Sequence, residues 1–119
     1  MDDKTKKLFD APWHVEQHNR YFGPQIHAEV RNAKGALVAD VGPYKASFVD
    51  ANRIACLPEL YDALEDAAER VCKKCVAFWF PGQKFDFPQN FADFICPITK
   101  AGCFCENWLN LLRKVRDGK

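Results

Sequence analysis

No long run of apolar residues occurs in this 119-residue chain; the stretch Val76-Ala77-Phe78-Trp79-Phe80 is as far as one extends. A membrane-spanning helix needs about 20, so none is expected. The N-terminus, Met1 to Lys7, has no apolar stretch behind it and does not read as a secretory signal, which implies a cytoplasmic location. An excess of one charge is also lacking: 17 Lys plus Arg meet 16 Asp plus Glu, for a net charge of +1. Proteins built to grip phosphate backbones usually carry a clear basic excess, so nucleic acid is not expected as the main partner. The basic tail Arg113, Lys114, Arg116 and Lys119 reads more simply as cations meeting the negative end of a C-terminal helix. G-x-S-x-G, P-loop, G-x-G-x-x-G and H-E-x-x-H patterns are all absent. His14, His18 and His27 lie near turn-like sequence, where a histidine is more often a surface or satisfied core residue than a catalyst. No enzyme activity is expected, and no catalytic residues are assigned.

What is present is enough to fold. Hydrophobic residues make up 48% of the chain and aromatics 13%, with ten Phe and three Trp, so an ordered core is expected without staples. The predicted fold is α+β in a single domain, 1–119, with a small N-terminal antiparallel sheet packed against two to three helices. Residues 1–10 are charged and aperiodic and read as a flexible leader, with at most a helical turn at Lys6–Phe9. The sheet spans 12–41. Trp13-His14-Val15-Glu16 alternates apolar and polar, and Asn19 to Pro24 carries turn chemistry. Ile26, Ala28 and Val30 alternate with His27, Glu29 and Arg31, and Leu37 to Val41 returns through a short connection in which Gly35 suits a left-handed position.

A helix is predicted over 49–76, broken at Pro58, because proline is tolerated only in a helix's first turn. Leu60, Tyr61, Leu64, Ala67, Ala68, Val71, Cys72 and Cys75 recur at helical spacing, and this face is expected to cover the hairpin. The remainder, 78–119, is an aromatic and cysteine-rich segment in which Asn90 or Asp93 is placed to cap a helical turn. It ends in a C-terminal helix that turns Trp108, Leu111, Leu112 and Val115 inward.

Residues 50–64, Asp-Ala-Asn-Arg-Ile-Ala-Cys-Leu-Pro-Glu-Leu-Tyr-Asp-Ala-Leu, resemble a segment of small uncharacterised phage and prophage proteins, roughly E-A-N-A-R-L-I-A-A-A-P-E-L-L-E-A-L. The matching positions are Ala51, Asn52, Ile54, Ala55, Pro58, Glu59, Leu60, Ala63 and Leu64. The resemblance is close over 50–64 and loose over 13–75. It implies a mobile-element origin and a strand–helix plan, and it brings no catalytic residues. The implied role is that of an accessory protein that binds a host or phage protein, for example a counter-defence inhibitor such as an anti-CRISPR.

Two constellations carry the binding expectations. Five of the six cysteines lie beyond residue 71, at Cys72, Cys75, Cys96, Cys103 and Cys105. Cys72-x-x-Cys75 with Cys103 and Cys105, or with Cys96 in place of either, supplies the four thiolates of one structural zinc. The alternatives are cysteines that simply pack as small hydrophobes, needing no cofactor, or a disulfide, which a reducing compartment disfavours. The aromatics Phe78, Trp79, Phe80, Phe85 and Phe87 sit in a segment broken by Pro and Gly. They are either core or a partner-binding patch, since Trp, Phe and Tyr dominate binding hot spots. A small zinc-binding module and a nucleic-acid-binding accessory protein remain the rival functions.

Overall fold

The computed structural model describes residues 1–19, 26–97 and 104–118, with the Phe104 and Cys105 side chains not described. The fold is α+β, with a three-stranded antiparallel sheet near the N-terminus. The chain divides into two compact units, Met1–Leu60 and Tyr61–Lys119.

In the first unit α1 (Asp3–Phe9) precedes β1 (His14–His18), β2 (His27–Arg31), β3 (Leu37–Gly42) and α2 (Lys45–Ala55). Residues 3–9 are therefore helix and not a flexible leader. The Asp2 carboxylate accepts from the Lys4 N–H at the helix start, and Asp10 closes it in the left-handed region. The helix is then anchored: the Trp13 indole N–H donates to the Phe9 carbonyl at 2.7 Å, and the Ala33 N–H donates to the Asp10 carbonyl at 2.7 Å. Thr5 is buried. None of this shows as hydrophobic periodicity.

The strands run in the order β1-β2-β3, with Val15 opposite Val30 and Glu16 opposite Glu29. At the β2–β3 turn Asn32 Oδ1 accepts from the N–H groups of Lys34 and Ala36, and Gly35 takes the expected left-handed conformation at φ 81°. The turn from Asn19 to Pro24 lies, beyond Asn19, outside the described residues. Ile26 is exposed and precedes the strand.

The inner face of the sheet, Val15, Ala28, Val30, Ala39 and Val41, is covered by Phe48, Ala51, Ile54 and Ala55 of α2. The expectation had placed that cover on the helix after Pro58. α2 does the work because Ala51 is small enough for the helix to approach closely and is completely buried. Its first turn is fixed where the Tyr44 N–H donates to Ser47 Oγ at 3.1 Å.

The helical path breaks after Ala55, and α3 (Leu57–Trp79) restarts with Pro58 in its first turn, as the proline requires. In the second unit the buried stripe of α3 is Tyr61, Glu65, Ala68, Cys72 and Val76, at spacings of four, three, four and four. Leu60, Ala67 and Val71, expected inside, face solvent. The helix runs three residues beyond the expected end at 76, because nothing stops it before Pro81. A 3-10 turn, Phe91–Asp93, follows an irregular stretch, with Asn90 at its N-cap position. The last helix, α4 (Phe104–Asp117), buries Leu109 and Leu112; Leu111 is exposed, contrary to expectation.

Replacing Val30 by Ala in the inner face should cost about 2 kcal/mol, since two methyl groups and their packing are lost. Val49→Ala, at an exposed position of α2, should stay within about 0.5 kcal/mol. Urea denaturation of both variants checks the contrast.

Candidate functional site

The outer face of the sheet gathers all three histidines with three acids and Arg31. The strand register puts His14, Glu16 and His18 of β1 opposite Arg31, Glu29 and His27 of β2. This polar face is partly dry: the Glu29 side chain is 0% exposed, and His27 is also buried. A buried carboxylate must be paired and hydrogen-bonded to stay charged. Arg31 meets that need. Its Nε and Nη2 donate to Glu29 Oε1 at 3.1 and 2.8 Å, its Nε lies 2.9 Å from Glu16 Oε2, and its Nη1 donates to the Gly35 carbonyl at 2.8 Å.

The histidines stand beside acids of this face. His14 Nε2 and His18 Nε2 stand 3.5 Å from opposite oxygens of Glu16, and His27 Nδ1 stands 3.1 Å from Asp40 Oδ1. The carboxylates of Glu16 and Glu29 are already engaged by the Arg31 guanidinium. No group of three His, Cys, Asp or Glu side chains converges on a metal-sized site among the described residues. The arrangement is an ion-pair network that fixes the sheet, and sequence reading missed it because cross-strand partners are invisible without the register.

The cysteines divide. Cys72 is buried and disulfide-bonded, with its partner outside the described side chains. Cys56, Cys75 and Cys96 are not in disulfides. Cys103 and the Cys105 side chain lie outside the described residues. A disulfide sulfur is no thiolate, so the zinc set that begins with Cys72 lacks that ligand in this state. The disulfide also differs from the expectation for a reducing compartment.

The aromatic segment is sorted by the backbone. Phe91 and Phe94 are buried, their rings stacked 5.0 Å apart, and Phe87 stacks on Phe94 at 5.1 Å. Phe80 and Phe85 are half-buried against each other. Phe78 and Trp79 are different: 76% and 55% exposed, in an edge-to-face pair with centroids 5.4 Å apart. So of the five expected partner-binding residues, Phe78 and Trp79 are on the surface, while Phe80, Phe85 and Phe87 are partly packed.

Two arginines hold this segment. Arg113 Nε donates to the Ala92 carbonyl at 2.7 Å and its Nη2 to the Phe94 carbonyl at 2.8 Å. Arg116 Nη1 donates to Asp93 at 2.6 Å while its Nε meets Asp117 at 2.9 Å, and these carboxylates raise its already high pKa. Nearby on α3, burial and the adjacent Glu65 carboxylate push the Tyr61 hydroxyl up to about 12, so it is neutral at ordinary pH. The basic tail was read as a helix-dipole feature; two of its members are clamps instead. Beside the clamp lies a groove of about 340 Å³ lined by Phe85, Asp86, Phe87, Pro88, Asp93, Phe94, Ile95 and Pro97.

Compared with known proteins, the chain matches no family model, no curated protein and no solved structure.

Arg113→Ala should destabilise the chain by roughly 2 kcal/mol, because two carbonyls on buried residues lose charge-assisted donors. Arg113→Lys should recover little of it, since one ammonium does not reproduce the fork. Thermal and urea unfolding measure both. Thiol titration in denaturant without reductant should find four reactive thiols of the six cysteines; six would mean that no disulfide forms and would restore Cys72 as a metal ligand.

Proposed function

We propose that the chain is a non-catalytic accessory protein that acts by docking on a partner protein through the aromatic surface at the end of α3. The observation that carries this is the exposed Phe78–Trp79 pair. Large rings held edge to face on a helix end are already ordered, so docking them costs little conformational entropy. They are also the side chains that most often dominate binding energy. Ile95, 81% exposed, adds a second apolar anchor in the same unit.

The resemblance of residues 50–64 supports a phage or prophage origin, a host or phage protein as partner, and a place in the host cytoplasm. A counter-defence role, such as inhibition of a CRISPR effector, is the specific version that this origin suggests. The Cys72 disulfide weighs against the cytoplasm, and the thiol count addresses that. The zinc module is the weaker reading because Cys72 is oxidised. The nucleic-acid reading is weaker because Arg113 and Arg116 are engaged within the fold.

Affinity capture from bacterial lysate, treated with nuclease and read by quantitative mass spectrometry, tests the proposal against a Phe78→Ala/Trp79→Ala double variant. A specific protein should be retained at least about tenfold better by the wild type. Equal retention by both would sink the reading.

A further inference from the structure

We propose that the groove beside the clamp takes an extended, proline-containing segment of the partner with an arginine next to its prolines. This rests on the reading of the aromatic surface as a protein-docking face. The lining argues for the backbone form. Phe85, Phe87, Phe94, Pro88 and Pro97 present rings, and the two prolines offer no N–H. Such a surface offers an occupant rings to stack on and, at the two prolines, no ladder N–H, so a segment that needs no backbone pairing suits it. A polyproline-type segment keeps its backbone solvated and lays flat rings on aromatic ones.

The charge argues for the arginine. The ionisable residues of the lining are Asp86 and Asp93, both acidic. Asp93 is taken by Arg116 at 2.6 Å. Asp86 is exposed and has no hydrogen bond or ion pair among the described residues. A guanidinium would pair with that carboxylate and stack on the neighbouring rings. The molecule holds one such contact of its own: the Lys73 ammonium stands 5.2 Å from the Phe87 ring centroid, showing that this set of rings accepts a cation.

Fluorescence polarisation with labelled synthetic twelve-residue peptides (a length of roughly four polyproline turns) tests this on the full chain. One peptide carries a Pro/Leu core flanked by Arg, one the same core flanked by Glu, and one a Gly/Ser core flanked by Arg. The Arg-flanked proline peptide should bind about three- to tenfold tighter than either other. Asp86→Arg, at an exposed site and checked for folding by circular dichroism, should reverse the Arg-over-Glu order. Equal binding of the Arg and Glu peptides, binding of none, or an unchanged order in Asp86→Arg would overturn the inference. So would self-association through the groove, seen as a dimer by light scattering that Asp86→Arg dissociates, because the occupant would then be a second copy. Loss of capture on Phe78→Ala/Trp79→Ala is independent of all these outcomes. Docking can therefore stand while the groove chemistry falls, and the reverse.

Discussion

Residues 81–97 contain three prolines and one 3-10 turn, and the rest of that stretch has neither ladder nor helix to occupy its backbone. Carbonyls that leave water there need donors from elsewhere, since each orphan costs about 1–3 kcal/mol. Arg113 is that donor. Its planar fork reaches the carbonyls of Ala92 and Phe94 together, while Arg116 takes the carboxylate between them in sequence. Both arginines come from one face of α4, three residues apart. Phe91 and Phe94 can therefore bury their rings without a regular element to carry them, and the groove wall stays in place because its backbone is held.

A similar solution appears in the first unit. β2 buries both of its faces, one apolar against α2 and one polar. A carboxylate with no exposure would take a proton or unfold the strand if it were left alone. Arg31, two residues along the same strand, supplies the cation and anchors itself on the Gly35 carbonyl across the turn. Such a pair adds little net stability over a hydrophobic one, but breaking it is costly, so it rejects other registers. A one-residue slip of β1 would remove Glu16 from Arg31 and put Val15 on the polar side.

The parts legible in the sequence are those with a local signature. Alternation marked β1 and β2, Asn32 to Gly35 marked the hairpin turn, and Pro58 marked the restart of the long helix. The parts that were not legible depend on partners far along the chain. The Arg113 contacts span 19 and 21 residues, and no spacing announces them. α1 lacks an apolar period because its anchors are backbone carbonyls and one indole N–H. The choice of Leu109 over Leu111 depends on which side of α4 meets the 3-10 turn, which composition does not encode. The candidate surface was half legible: the aromatic run was visible, but which rings face outward follows from where the helix ends.

That last point explains why Phe78 is exposed at all. Successive residues on a helix turn by 100°, so a run of five apolar residues cannot all face one side. Val76 points inward and is buried, and Phe80, one turn on, falls on nearly the same side and is half-buried. Phe78 lies almost opposite, while Trp79, a further 100° round, comes back to within about 60° of Val76, so the rotation accounts for Phe78 and not for Trp79. Had the helix ended at Val76, the run could have collapsed onto the core with the later phenylalanines. Because Pro81 sets the stop, the Phe78 ring is held largely in water at 76% exposure, forgoing most of the roughly 1.5–3 kcal/mol that full burial brings. Propensity offers no return for this, since Phe and Trp are only middling helix formers and smaller polar residues would serve as well there. The cost is recovered only when something else covers the ring, which is the physical ground for reading this end of α3 as a docking surface.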